Sequence, residues 1–154
     1  MNTDMHHRPT ARAAIALTIA ALLSAGAVGC SGGDDDSFKS WVDKGGKEHT
    51  LAMGTDIRSL VQLSGQGGGS EAVARCRQIL DHVASARAYR KLPDETGQRS
   101  WAKVLDETER TATNCAQNKE TGLTGGPKLS EAAEAQSAYS ALSISLAQLS
   151  KTAS

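Results

Sequence analysis

The sequence predicts an all-α protein, an antiparallel up-down-up-down bundle of four helices. Apolar residues recur at helical spacing in four stretches after residue 37, and no stretch of useful length alternates as a strand would. Glycine and proline turns separate the four stretches. The connections between them are short, and short connections favour antiparallel neighbours.

The first 29 residues are predicted to be an export signal rather than part of the bundle. Arg8 and Arg12 precede an apolar stretch from Ala13 to Val28, which small residues bring to an end. This stretch is shorter than the roughly 20 apolar residues that a membrane-spanning helix needs. No arginine pair precedes it, so we expect the general secretion route.

The segment Ala27-Val28-Gly29-Cys30 resembles the lipobox of bacterial lipoprotein signal peptides, although Ala27 stands where leucine is usual. The resemblance implies that residues 1–29 are removed and that Cys30 becomes the first residue of the mature chain, carrying diacylglycerol. Two acyl chains suffice for stable attachment to a membrane. The alternative is ordinary cleavage after small residues, with Cys30 incidental.

Under this interpretation the chain has three parts. Residues 1–29 are the signal, residues 30–37 are the lipidated cysteine and a flexible tether rich in glycine and aspartate, and residues 38–154 are the bundle domain. The chain has 17 basic and 17 acidic residues; two of the basic and one of the acidic lie in the signal, which leaves 15 and 16. We expect no nucleic-acid partner, because such domains need a basic excess.

Cys76 and Cys115 are predicted to form one disulfide between two helices. If Cys30 carries lipid, these two cysteines remain in an exported domain, where disulfides are permitted. They lie at equal distances from the predicted turn at Pro93 to Gly97, on the apolar faces of their helices, as facing residues of a hairpin do. Aromatic residues make up only 3% of the chain, so its core is built from small side chains and gains stability from such a covalent link. The alternative is a pair of buried free thiols.

The first predicted helix runs from about Phe38 to Leu63, and the pair Gly45-Gly46 leaves open whether it is continuous or breaks into two pieces. The second helix follows a glycine-rich turn and runs from Ser70 to about Tyr89. We expect Ser70 to be its N-cap, because a serine hydroxyl accepts from the free N–H groups of a first turn.

The third predicted helix begins after Pro93, which suits a helix entrance, and ends near Asn118. The turn at Gly122 to Pro127 separates it from the fourth helix. We expect Ser130 to be the N-cap of that last helix.

No catalytic motif occurs after the signal, so we expect a protein that is not an enzyme and has no cofactor beyond the diacylglycerol on Cys30. The histidines of the predicted bundle are His49 and His82, which the glycine-rich turn brings near each other on the first two helices. One hypothesis is a metal site of these two histidines with Glu48 or Asp81. The other is that both histidines are solvated surface residues.

One end of the predicted bundle gathers aromatic and basic side chains, and the tether enters at the same end. This end is therefore predicted to face the membrane, where such side chains suit anionic headgroups. The alternative is that the aromatics fill the bulky end of the core and that the charges, diluted by nearby acidic residues, form a solvated rim. The candidate patch consists of Trp41, Arg87, Arg90, Lys91 and Trp101.

The signal, lipobox, tether and bridged helices together make this chain similar to the small alanine-rich lipoproteins of high-GC Gram-positive bacteria. That resemblance implies a location and no activity. We expect a protein anchored by lipid to the extracytoplasmic face of the cell membrane, acting as a non-enzymatic binding or scaffolding domain with an envelope protein as partner. The alternative is a small-ligand or metal-binding accessory lipoprotein of an envelope transport or sensing system.

Overall fold

A computed structural model describes residues 37–66, 68–117 and 126–152 of the chain. The described ranges are helical and contain no strand, which confirms the predicted fold class. Residues Gly32–Ser154 form one compact unit. The predicted signal, the lipobox with Cys30, the tether up to residue 36, the predicted helix end at Asn118 and Gly122 of the last turn lie outside the described residues. The elements are α1 (Phe38–Trp41), a wide π-helical turn (Val42–Gly46), α2 (Lys47–Gln66), α3 (Ser70–Ala88), α4 (Glu95–Gln117) and α5 (Leu129–Thr152).

The four long helices, α2 to α5, form the predicted antiparallel bundle. Cys76 of α3 lies against Cys115 of α4, whereas Arg87, later in α3, meets Asp106, which is earlier in α4. Residue numbers therefore rise along one helix as they fall along its neighbour. The α4 helix packs against both α3 and α5, and α2 contacts α3, α4 and α5.

The Gly45-Gly46 pair does break the first helix, which the sequence left open. Gly45 has a φ of 129°, a left-handed backbone conformation that favours glycine. Gly46 is buried against the indole of Trp41, and a Cβ atom there would lie 2.3 Å from the Cε3 atom of Trp41. The stretch predicted from Phe38 to about Leu63 is therefore two helices joined by a wide turn, because the backbone leaves the helical conformation at Gly45.

Two predicted N-caps are wrong, because α3 and α5 each begin one residue earlier than expected. Gly69 is the cap of α3, and its carbonyl accepts the first hydrogen bond from the N–H of Val73 at 3.0 Å. The α5 helix begins at Leu129, so Ser130 lies inside its first turn. A side-chain cap does occur at α4, where the N–H of Gly97 donates to Oδ2 of Asp94 at 2.6 Å.

The core combines aliphatic side chains from three helices with alanines from the fourth. The α5 helix contributes three small core residues, which let it approach its neighbours closely. Where α2 passes α5, Gly54 leaves room for the ring of Tyr139, whose hydroxyl donates to the carbonyl of Thr50 at 3.2 Å. Fully or nearly fully buried core residues include Met53, Ile57, Leu60, Ile79, Val83, Val104, Ala112, Ala132, Ala135, Ala138 and Leu142.

The predicted disulfide joins Cys76 of α3 to Cys115 of α4, with an S–S distance of 2.00 Å and a Cα–Cα distance of 6.1 Å. Both residues are fully buried in the core cluster. The bridge therefore links α3 to α4, the two helices of the central hairpin, within the core.

We expect reduction of this disulfide to lower the free energy of unfolding by about 4 kcal/mol, because the bridge closes a loop of about 40 residues in the unfolded chain. Urea unfolding with and without a thiol reductant measures the difference. The Cys76→Ser/Cys115→Ser double variant is the control, and its unfolding should not respond to the reductant. A loss of less than about 1 kcal/mol in the wild-type chain would contradict the expectation.

Candidate functional site

Two hydrogen bonds fasten the start of the bundle to the connection between α3 and α4. The indole Nε1 of Trp41 donates to the carbonyl of Arg90 at 2.9 Å. The hydroxyl of Tyr89 donates back to the carbonyl of Trp41 at 3.0 Å. Trp41 is only 1% exposed, so its N–H needs this partner, since an unpaired buried donor costs about 1–3 kcal/mol.

The aromatic rings around these bonds pack edge to face. The ring of Trp41 lies 5.8 Å from that of Tyr89 and 6.4 Å from that of Trp101. We call Trp41, Tyr89 and Trp101 the tether-end corner. Because Trp41 and Trp101 are buried, their rings fill the bulky end of the core and do not project from it.

The basic side chain Arg87 is held by carboxylates of α4. Its Nη2 atom donates to Oδ1 of Asp106 at 2.7 Å and to Oε2 of Glu109 at 2.5 Å. The hydrogen bond with Asp106, and then the bond with Glu109, raise the pKa of Arg87 above its ordinary value. Arg87 therefore links α3 to α4, and its positive charge is paired with the carboxylates of Asp106 and Glu109.

The structure brings four of the five predicted patch residues together around one surface groove between α3 and α4. This groove has a volume of about 240 Å³, and Trp41 lies behind it against Trp101. We call it the cationic groove. Its basic side chains are Arg87, Arg90 and Lys91, and its apolar side chains include Ala86, Trp101 and Leu105.

The two histidines have different neighbours. The ring of His49 lies 4.7 Å from that of Tyr89, whereas Nδ1 of His82 lies 2.8 Å from Oδ2 of Asp56. Tyr89, the neighbour of His49, comes seven residues after His82, which is about 10.5 Å along a helix. The two histidines therefore have their contacts at different levels of the bundle. Within the described residues no group of three or more histidine, cysteine, aspartate or glutamate side chains is arranged to hold a metal ion.

Asp56 forms a buried polar centre that the sequence did not predict. It is 1% exposed, and its Oδ1 accepts from Nη2 of Arg75 at 3.1 Å while Oδ2 meets His82. The same Nη2 donates to the hydroxyl of Ser59 at 3.3 Å. The signal that could have revealed it is an acidic residue inside the apolar stripe of α2. Since a buried carboxylate needs partners, this centre ties α3 to α2.

No protein-family model matches this chain, and no significant match occurs among the curated proteins or the solved structures. In the parts of the chain that the structure describes, none of the helices has the length and apolar character needed to span a membrane.

We expect Arg75→Ala to lower the free energy of unfolding by about 2 kcal/mol, because it removes a charged hydrogen bond from the buried carboxylate of Asp56. The matched control is Arg77→Ala, at an exposed position of the same helix, which should change stability by less than about 0.5 kcal/mol. Urea unfolding of both variants measures the effect. If Arg75→Ala and Arg77→Ala had equal free energies of unfolding, the contact of Arg75 with Asp56 would contribute nothing to stability.

We expect Gly46→Ala to cost about 2 kcal/mol, because the added Cβ atom displaces the buried ring of Trp41. Gly65→Ala is the control: nothing lies within 4 Å of a Cβ atom there, and alanine in place of helical glycine stabilises by up to about 1 kcal/mol. Tryptophan fluorescence should shift to the red in the first variant alone. An unshifted spectrum with wild-type stability would refute the close packing of Trp41 on Gly46.

Proposed function

We propose that this chain is an exported lipoprotein whose helical bundle is a non-enzymatic binding or scaffolding domain at the outer face of the cell membrane. The lipobox-like segment and the apolar stretch before it support lipidation of Cys30. Diacylglycerol on Cys30 is then the anchor, and the bundle needs no membrane-spanning helix of its own.

The observation that carries the proposal is the small number of residues between Cys30 and the start of the bundle. Ser37 accepts a hydrogen bond from the N–H of Ser40 at 3.1 Å and begins α1, and Trp41 is buried four residues later. Seven Cα-to-Cα steps separate Cys30 from Ser37, and they span at most about 25 Å. A lipid on Cys30 therefore keeps the tether-end corner close to the membrane surface.

The ion pairs between helices support a binding or scaffolding role. Asp56 pairs with Arg75 and His82 to join α2 and α3, and Arg87 pairs with two carboxylates to join α3 and α4. The Arg110–Glu134 pair likewise joins α4 and α5. These ion pairs link neighbouring helices, so the bundle is a rigid support for the residues on its surface.

A second candidate is the small-ligand-binding accessory lipoprotein of an envelope transport or sensing system. The cationic groove favours this version, because it is a concave site with a basic rim. The metal-binding form of this alternative has less support, since His49 and His82 contact different partners.

Expression of the whole chain in a lipoprotein-processing bacterium tests the anchor. We expect mass spectrometry to find a mature chain that begins at Cys30 and carries diacylglycerol, recovered in the membrane fraction. The Cys30→Ala variant should lose both the lipid mass and the membrane attachment, whereas Cys76→Ser/Cys115→Ser should keep them. A mature chain that begins elsewhere, with unmodified Cys30 or without it, would refute the proposal.

A further inference from the structure

We infer that a groove between α4 and α5 binds a small zwitterion of about the size of one amino acid. Such a ligand carries an ammonium group and a carboxylate group. The inference rests on the second candidate function, since it takes the bundle to bind a small ligand, and it adds the site and the class of ligand. It does not depend on a lipid at Cys30.

The groove lies along the seam where α4 and α5 face each other, and we call it the seam groove. Residues three or four apart lie on one face of a helix, so each helix presents one polar face to the groove. The remaining lining residues are alanines of α5, whose short side chains leave the seam open. The polar lining residues are Ser100, Lys103 and Glu107 of α4 and Glu134 and Ser137 of α5.

Three polar side chains of the seam groove have no partner among the described residues of the chain. They are the hydroxyls of Ser100 and Ser137 and the ammonium of Lys103. By contrast, the hydroxyls of Ser140 and Ser143 on other faces of α5 donate to carbonyls of their own helix. The groove therefore offers two hydroxyl donors and one ammonium donor, all of which can donate to a carboxylate.

The other end of the seam groove carries an excess of negative charge. Nη2 of Arg110 contacts one oxygen of Glu107 and one oxygen of Glu134, so a single guanidinium balances two carboxylates. Although Oε2 of Glu107 lies 2.5 Å from that nitrogen, it is buried and accepts no aligned hydrogen bond from the described residues. Each carboxylate has about four acceptor sites, so this end can accept further hydrogen bonds from a ligand ammonium.

The positive and negative ends of the seam groove stay apart. Lys103 comes four residues before Glu107, about 6 Å along α4. A lysine that precedes a glutamate by four residues is in the less favourable order for an ion pair within a helix. Within the described chain no ion pair joins Lys103 to Glu107 or to Glu134.

This separation of charge selects a zwitterion over a simple ion. An anion at Lys103 would face the excess negative charge of the carboxylates, and a cation at the carboxylates would face Lys103. A zwitterion satisfies both ends, because its carboxylate meets Lys103, Ser100 and Ser137 while its ammonium meets the carboxylate end. Hydrogen bonds between ionised groups are about twice as strong as neutral ones.

The size of the seam groove limits the ligand to a single small molecule. Its volume of about 260 Å³ is below the 300–1,000 Å³ of pockets that enclose a drug-sized molecule. A free amino acid with a short side chain therefore suits the groove better than a nucleotide or a peptide does.

Titration of the lipid-free domain, followed by the chemical shifts of its amide groups in nuclear magnetic resonance, tests this inference. The protein is residues 31–154, which contain the whole compact unit Gly32–Ser154. The ligands are L-alanine, propionate, which lacks the ammonium, and ethylamine, which lacks the carboxylate. The groove variant is Lys103→Gln/Ser137→Ala, and urea unfolding checks that its fold is kept.

The control variant is Lys47→Gln/Ser140→Ala, which removes the same two functional groups from exposed positions outside the seam groove. Lys47 lies on α2, which does not line the groove, and Ser140 lies on another face of α5. The two variants therefore differ in where the ammonium and the hydroxyl are removed and not in what is removed.

We expect L-alanine to produce saturable shifts at the residues that line the seam groove. The groove variant should bind L-alanine at least about tenfold more weakly, because it removes a charged hydrogen bond, and the control should lose less than about twofold. Propionate and ethylamine should each bind the wild-type domain at least about tenfold more weakly than L-alanine, because each lacks one of the two charged contacts.

Three results would overturn the inference. One is the absence of a saturable shift with L-alanine, and another is an equal loss of affinity in the two variants. The third is binding of propionate or of ethylamine as tight as that of L-alanine, which would assign the seam groove to simple anions or to simple cations.

The failures of the three proposals are distinguishable. Saturable binding of L-alanine that neither variant weakens would refute the seam groove and leave the second candidate function in place. An unmodified Cys30 with groove-dependent binding of L-alanine would refute only the lipid anchor, because lipidation is measured separately on the whole chain in cells.

Discussion

The burial of Trp41 is the constraint on which the arrangement of this molecule depends. Its indole N–H requires a buried acceptor, and the carbonyl of Arg90 supplies one 49 residues away in the chain. Its ring requires space, and Gly46 supplies it because it has no Cβ atom. One side chain therefore joins the start of the bundle to the turn between α3 and α4, and decides which end of the bundle the preceding segment approaches.

Covalent and charged contacts between helices add to a hydrophobic core whose side chains are small on one helix, α5. Three core positions of α5 are alanine, so little apolar area is available per residue there. The disulfide between α3 and α4 restricts the unfolded chain, while the Asp56 centre joins α2 to α3. Covalent and charged contacts thus supplement hydrophobic burial in this bundle.

The contacts between helices also bear on function, because they show which side chains of the predicted patch serve the bundle itself. Arg87 was part of the predicted patch, yet it is occupied by two carboxylates of α4. Trp101 was also part of it, and its burial agrees with the alternative that the aromatic rings fill the bulky end of the core.

The sequence by itself determined the helical class, the order of the four long helices and the Cys76–Cys115 pairing, because periodicity and distance from a turn are local properties of a chain. It also carries the export signal and lipobox pattern, which stay predictions. Only the tertiary structure decided the break at Gly45, the partners of Asp56 and the cationic groove. Trp41 with Arg90, and Asp56 with Arg75, are partners on different elements, and apolar spacing reports which face is buried without reporting what that face meets.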